Sequence, residues 1–183
     1  MSVVCAKVYG DKIVVAADSI VVTGWSKDTN SGFSKLLKIN GMIVGACGRC
    51  DELSFLYHFC KTHRPESATE RDVLSFFAEF SEWKNQKYSD KTIENSYIFA
   101  FDKKVFRIEG FFVREIKDYT AIGAGGDCAT AALYLGHSPK EAVKVSCDLC
   151  CFVAEPIVEE ELSLTEYGCR DPIPGDGQTH KPN

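Results

Sequence analysis

The chain has 183 residues and a mass of 20.3 kDa, which is the usual size of one globular domain. It is 45% hydrophobic and 26% charged, a composition that can build a core and excludes wholesale disorder. The net charge of −5 argues against nucleic-acid binding, because phosphates are bound by clustered lysines and arginines. No apolar run is long enough to cross a membrane, and the N-terminus does not have the pattern of a signal peptide.

Turn signals divide the first part of the chain into hairpins. Gly10-Asp11 and Asn40-Gly41 tolerate the positive φ that tight hairpin turns need, so each pair is predicted to join two strands. The polar segment 23–34 between the hairpins is predicted to be a loop. The strands predicted around these turns are Val3 to Val8, Lys12 to Ala17, 35–39 and 42–46.

Helices are predicted after the second hairpin and again near the end of the chain. Asp51 is placed to cap the first helix, and Ser67 with Glu70 forms a capping box for the second. Asp127 is placed to cap a third helix, which is expected to end at Gly136. The fourth helix opens with a capping box of Ser138 and Glu141 and with Pro139 at its first position, and it runs into a cysteine-rich stretch.

Further strands are predicted over 96–101, 104–109 and 111–116, and a last one over 158–164. Paired strands followed by paired helices, without regular β-α-β alternation, favour antiparallel sheets covered by helices. The composition changes after Thr165, where prolines and glycines replace apolar residues. We therefore predict a domain over 1–165 and a flexible tail over 166–183.

The nine cysteines are unusual for a chain of this size. An odd number without a signal peptide favours reduced thiols in a cytoplasmic protein. Cys47 and Cys50, and Cys147 with Cys150 and Cys151, have the short spacing of zinc ligands. Because the second group falls at a helix end rather than on a knuckle turn, we favour buried thiols that act as small apolar side chains. A zinc-binding module remains an alternative.

Four local features occur in a specific order along residues 2–165. A hydroxyl near the N-terminus, Ser2, is followed by a hairpin that ends at Asp18; Lys35 opens the next hairpin; and Gly45-Ala-Cys-Gly48 turns into a helix. The fourth is Ala121-Ile-Gly-Ala-Gly-Gly126, followed by an alanine-rich helix. Together they resemble the HslV peptidases and proteasome β-subunits, which are N-terminal-nucleophile hydrolases. The resemblance implies an α+β fold, a four-layer αββα sandwich.

The resemblance also implies the roles of individual residues. Ser2, exposed as the first residue by removal of Met1, occupies the position of the family's nucleophile, which is usually threonine. An alcohol needs an adjacent base, and the α-amine of Ser2 would supply it because its pKa lies near 8. Lys35 would provide a fixed positive charge and Asp18 would hold it in place. The backbone N–H of Gly48 would form the oxyanion hole.

Some residues depart from the family pattern or leave choices open. Ala124 stands where the family commonly has a serine that binds the terminal amine, and Asp127 either replaces that serine or only caps its helix. Lys38 is the alternative to Lys35. The segment from Cys147 through Cys150 to Val153 overlies a turn that binds a monovalent or divalent cation through backbone carbonyls in the family. No other cofactor is expected.

The sequence therefore predicts a peptidase that acts on peptides or unfolded proteins. By resemblance we expect a homo-oligomeric ring with its sites inside a chamber, and an ATPase unfoldase is a candidate partner. Nucleic acid and membrane are not expected partners. A proteasome-like scaffold with weak or no activity is the main alternative, supported by Ala124.

Overall fold

The computed structural model describes residues 2–24, 26–29 and 32–164. Its helices are α1 (Cys50–Cys60), α2 (Glu70–Tyr88), α3 (Gly126–Tyr134) and α4 (Pro139–Leu149). Its strands are β1 (Val3–Val8), β2 (Lys12–Asp18), β3 (Val21–Thr23), β4 (Ser26–Asp28), β5 (Leu36–Ile39), β6 (Met42–Cys47), β7 (Ser96–Phe101), β8 (Lys104–Glu109), β9 (Phe112–Ile116), β10 (Tyr119–Gly123) and β11 (Ile157–Ser163).

Two antiparallel sheets form the centre of the domain. The first has the strand order β10-β1-β2-β11 and the second has the order β5-β6-β7-β8-β9. Helices α3 and α4 pack on the outer face of the first sheet, and α1 and α2 pack on the outer face of the second. The layers therefore follow the order helix, sheet, sheet, helix, which confirms the predicted αββα sandwich.

Strand alternation supplies this layering, because successive side chains of a strand point to opposite faces. In β1, Val4 packs between the two sheets, whereas Val3 and Cys5 pack under α3 and α4. In β7, Ile98 packs between the sheets and Phe99 packs against α1 and α2. Each sheet is thus apolar on both faces, and three separate apolar layers hold the domain together.

The predicted hairpins are confirmed. β1 pairs with β2 around Gly10-Asp11, and β5 pairs with β6 around Asn40-Gly41, where both turn residues have the positive φ of a tight turn, 49° and 73°. The prediction of a loop over 23–34 is partly wrong, because β3 and β4 form a short hairpin in its first half. β10 was not predicted, and it becomes a strand by pairing with β1.

Three of the predicted helix caps are wrong. Asp51 lies inside α1, whose N-cap is Arg49, and Asp127 lies inside α3, whose N-cap is Gly125. Helix α2 begins after Thr69, whose hydroxyl accepts the Asp72 N–H. Ser67 does not cap it and instead hydrogen-bonds to the Asp72 carboxylate.

The predicted cap of α4 is confirmed, with both hydrogen bonds of the Ser138–Glu141 capping box and Pro139 in the first turn. The predicted tail over 166–183 lies outside the described residues, as does Met1. Among the helices that the structure describes, none combines the length and apolarity needed to cross a bilayer.

Candidate active site

Ser2 directly precedes β1 and lies beside the turn that follows β10. The register of β1 with β10 sets Val3 opposite Gly123, and the backbone N–H of Gly125 donates to the Ser2 carbonyl over 3.2 Å. A Cβ on Gly123 would lie 2.3 Å from the Ser2 carbonyl oxygen, so only glycine allows β10 this close. The glycine-rich turn after β10 therefore holds Ser2 by its backbone.

Asp18 and Lys35 form a buried ion pair beside this strand end. Asp18 ends β2, and Lys35 precedes β5; Lys35 Nζ lies 2.7 Å from Asp18 Oδ2, with side chains that are 5% and 0% exposed. The other carboxylate oxygen accepts the Val3 N–H over 2.9 Å. Asp18 thus connects the lysine ammonium directly to the residue that follows Ser2.

The electrostatics of this pair are set by its burial. Loss of water raises the pKa of the Asp18 carboxyl, and the Lys35 ammonium together with the backbone N–H groups of Val3 and Ile20 opposes that rise. Lys38, the alternative to Lys35, is exposed and donates to the Glu161 carbonyl. Of the two lysines, Lys35 is the one that the fold brings to Asp18.

Gly48 follows β6, the strand that approaches Ser2 from the second sheet. Its φ is +142°, a conformation that side chains rarely adopt. The preceding residue, Cys47, donates its thiol to the Ile122 carbonyl of β10 over 3.5 Å, and its sulfur lies 2.7 Å from where a Cβ on Gly123 would stand. Cys47, the residue before Gly48, thus contacts the end of β10, whose following turn holds Ser2.

The two buried thiols of this region are unsuited to compete as nucleophiles, because the thiolate is the reactive form. Burial raises the pKa of Cys47 to about 12 and raises the pKa of Cys5 further. Cys5 also donates to the Pro139 carbonyl over 3.4 Å. Both act as small apolar side chains, as predicted, whereas the prediction of buried thiols is wrong for Cys50 and Cys151, which are exposed.

Ala124 and Asp127 lie in the turn and the first turn of helix after β10, and both are exposed. Asp127 lines a surface pocket between α3 and α4 together with Ala131 and Leu135. The buried hydroxyl near this turn belongs to Ser146 of α4, which lies 2.9 Å from the Gly125 carbonyl. Ser146 was not among the predicted site residues, although its place four residues after Ala142 puts it on the buried face of α4.

The candidate cation segment follows α4. Cys147 lies in the last turn of the helix, Cys150 is its C-cap, and the Cys150 carbonyl accepts the Val153 N–H over 3.1 Å. Cation binding by these carbonyls remains a prediction. Within residues 2–24, 26–29 and 32–164, no group of three or more histidines, cysteines and acidic residues is arranged to hold a metal ion, so those residues do not support the zinc alternative.

A second set of buried polar residues, Glu52, Lys84 and Asn95, lies on the other side of Gly48 and was missed in the sequence. Asn95 contacts the backbone of Arg49 directly after Gly48. The helical spacing could have indicated that two of them are buried, because Lys84 follows Phe80 by four residues and Glu52 precedes Leu56 by four. Both charges therefore fall on apolar helix faces.

Comparison with known proteins finds similarity in solved structures alone. No family model matches the chain, and no curated protein matches it. The chain is similar to BPH of Thiobacillus denitrificans in complex with epoxomicin, at 15% identity and a TM-score of 0.81 over 90% of this chain and 100% of the other. It is also similar to the eukaryotic HslV of Trypanosoma brucei, at 20% identity and a TM-score of 0.66 over 88% of this chain and 99% of the other.

The structure of BPH alone has the same similarity, with 15% identity and a TM-score of 0.81 over 89% of this chain and 98% of the other. At such identities the likeness concerns the fold. The chain has the fold of the proteasome-like N-terminal-nucleophile hydrolases, which is what the resemblance in its sequence predicted.

Proposed function

We propose that this chain is a proteasome-like peptidase in which Ser2, freed by removal of Met1, is the nucleophile. The observation that carries the proposal is the buried Asp18–Lys35 pair, whose carboxylate also binds the backbone N–H next to Ser2. A buried ion pair adds little to stability compared with apolar side chains of the same volume. A catalytic role of Ser2 would explain why the pair lies next to this residue, because charged groups in buried surroundings are common at functional sites.

In the proposed reaction, the Ser2 hydroxyl attacks the carbonyl carbon of a peptide bond while the α-amine of Ser2 takes its proton. The α-amine then returns that proton to the departing amine, which leaves an acyl ester on Ser2. Water, activated by the same amine, hydrolyses the ester and restores the hydroxyl. Lys35 lowers the pKa of the hydroxyl and the amine through its charge, and Gly48 N–H stabilises the oxyanion.

The likeness of the fold to HslV leads to further proposals. We propose that the substrates are peptides or unfolded proteins, that the chain forms a homo-oligomeric ring as a cytoplasmic enzyme, and that an ATPase unfoldase delivers substrates. The likeness to HslV supports these proposals. Cation binding at 147–153 is proposed on the same ground, as a structural feature outside the reaction.

A scaffold without activity is the second candidate, and Ala124 favours it. Alanine cannot supply the hydroxyl expected to bind the terminal amine, and the exposed Asp127 lines a pocket between the outer helices instead. The scaffold predicts the same fold and assembly without turnover.

The test combines the intact mass of the purified protein with covalent labelling. We expect a mass that lacks Met1, and an adduct of epoxomicin, the compound bound by the Thiobacillus protein, that maps to the N-terminal peptide. Ser2→Ala should abolish both the adduct and peptide hydrolysis. Ser54→Ala, which changes an exposed serine of α1, should retain both.

Complete retention of Met1 would contradict the proposal, because the α-amine of Ser2 would then be an amide nitrogen that cannot act as a base. A processed chain that neither reacts with epoxomicin nor hydrolyses peptides would favour the scaffold.

A further inference from the structure

A buried polar network fills the space between α1, α2 and the segment that leads into β7. Its charged centre is the ion pair between Lys84 Nζ of α2 and Glu52 Oε2 of α1, 3.2 Å apart with side chains that are 2% and 4% exposed. A buried pair of this kind is weak evidence for stability, since apolar residues of similar volume often do as well. The network therefore calls for another explanation.

Both members of the pair hold the segment 90–95. Lys84 donates to the Asp90 carboxylate over 3.1 Å and to the Thr92 carbonyl. Glu52 accepts the backbone N–H groups of Glu94 and Asn95 over 3.1 Å and 3.0 Å. The segment is thus fixed near both of its ends by charges of opposite sign.

Tyr97 completes the arrangement around Glu52. Its hydroxyl donates to Glu52 Oε1 over 2.6 Å, and burial together with the Glu52 carboxylate raises the pKa of Tyr97. The phenol therefore keeps the proton that it donates. Each oxygen of the Glu52 carboxylate has two hydrogen-bond donors in these contacts, so the carboxylate is held in one orientation.

The side chain of Asn95 then contacts the Gly48 turn. Its Nδ2 donates to the Arg49 carbonyl over 2.9 Å, and its Oδ1 accepts the Arg49 N–H. A Cβ on Gly48 would lie 2.0 Å from Asn95 Oδ1, so the amide is packed directly against the glycine. The Asn95 side chain thus makes the same two hydrogen bonds with the Arg49 backbone that a neighbouring β-strand would make, one donated and one accepted.

Gly48 is in this way fixed on both sides. Before it, Cys47 pairs with Ser96 in the ladder of β6 and β7; after it, Arg49 is held by Asn95. The φ of +142° at Gly48 is uncommon, and a glycine without such restraints would sample many conformations. An oxyanion donor has to be oriented before the reaction, because reorientation would cost part of its effect.

We propose that Asn95 is a positioning residue that orients the Gly48 peptide as oxyanion donor, and that the buried Glu52–Lys84 pair holds Asn95 in place. The proposal rests on the proposed peptidase function, in which Gly48 binds the oxyanion. Asn95 acts through Gly48 and does not itself contact the substrate.

The test uses Asn95→Ala in the full chain, with Ser81→Ala as the matched control. Ser81 is also buried, and its hydroxyl donates to the Lys91 carbonyl of the same segment over 2.6 Å, but it does not hold Arg49. For Asn95→Ala we expect kcat for a peptide substrate to fall about 10- to 100-fold with KM within about twofold, because loss of a whole oxyanion donor costs about 100- to 1000-fold. Ser81→Ala should keep the wild-type kcat.

A second readout does not depend on activity. Hydrogen exchange followed by mass spectrometry should show the amide of Arg49, whose N–H is accepted by Asn95 Oδ1, exchanging about tenfold faster in Asn95→Ala, with the wild-type rate in Ser81→Ala. Asn95→Ser keeps a polar side chain without burying a charge, and it serves where the alanine variant does not fold. Its single hydroxyl is too short to hold both the N–H and the carbonyl of Arg49, so it should change both measurements in the same direction as Asn95→Ala.

Unchanged exchange at Arg49 in a folded Asn95 variant would overturn the proposed clamp. Faster exchange with an unchanged kcat would overturn its role in the reaction. If the wild-type protein has no peptidase activity, the proposed function fails and the catalytic role of Asn95 fails with it, whereas the exchange rates still decide whether Asn95 holds the turn.

Discussion

The strongest prediction concerns the removal of one partner from the buried pair at the candidate active site. In Lys35→Met, the lysine stem is replaced by an apolar chain of similar length, and the carboxylate of Asp18 loses the ammonium 2.7 Å away. Because Asp18 is fully buried, water cannot take the place of the lost partner. We expect the free energy of unfolding to fall by about 3–5 kcal/mol, the usual cost of leaving a buried charge unpaired.

The double variant Asp18→Asn with Lys35→Met separates stability from chemistry. Asparagine keeps an oxygen that can accept the Val3 N–H, now bound over 2.9 Å, and no charge remains buried. We expect the double variant to regain at least about 2 kcal/mol of the loss in Lys35→Met, which would appear as a coupling energy in the double-mutant cycle. Peptide hydrolysis should be lost in both single variants and in the double variant.

The assay is urea denaturation at pH 7 and a fixed protein concentration, since assembly would add a dependence on concentration. Lys12→Met is the control, because it removes an exposed pair with Glu161 whose side chains are 38% and 53% exposed. Such a pair contributes about 0–1 kcal/mol. A Lys35→Met protein as stable as the control would refute the electrostatic argument, and a double variant with wild-type turnover would refute the catalytic role.

Two other properties follow from the buried groups. Burial raises the pKa of Asp18 above its ordinary value of 3.8, so the stabilisation that comes with the protonated carboxyl is complete below pH 3.8 and is lost as the pH rises through the raised pKa. The free energy of unfolding of Asp18→Asn minus that of wild type, measured by urea titration, should therefore increase as the pH rises through this range. A difference that does not change with pH would contradict the raised pKa of Asp18. Under native conditions iodoacetamide should modify the exposed Cys50 and Cys151. It should spare Cys47 and Cys60, because burial raises the pKa of each of these two thiols to about 12. Modification of Cys47 before unfolding, detected by peptide mass mapping, would show that the strand end beside Ser2 opens.

Short-range chemistry explains which local features could be predicted from the sequence. The turns at Gly10-Asp11 and Asn40-Gly41 and the capping box of α4 depend on residues that are close in the chain, and the fold keeps them. Ser67 was predicted to cap α2 from its spacing to Glu70, but the helix begins after Thr69, and Val73 and the apolar residues that follow it pack on the sheet. Strand β10 exists because β1 pairs with it across more than a hundred residues, which no local pattern reveals.

The same distinction applies to the site. Asp18 and Lys35 could be named because they lie in an ordered series of short motifs. Asn95 could not, since the contact that gives it a role joins residues 46 apart and depends on how α1 and α2 cross the second sheet. One feature of the sequence did indicate a buried charge, because Lys84 lies on the apolar face of α2. In the fold this lysine pairs with the buried Glu52.

The positions of the buried charges favour the peptidase over the scaffold. In the described part of the chain, the ion pairs whose two side chains are both buried are Asp18–Lys35 and Glu52–Lys84. The first reaches the backbone next to Ser2, and the second reaches the backbone next to Gly48 through Asn95. A scaffold needs only packed strand ends, which apolar pairs would secure at least as well. A nucleophile and an oxyanion donor need fixed orientation in a desolvated environment, and both buried pairs lie where such groups would act.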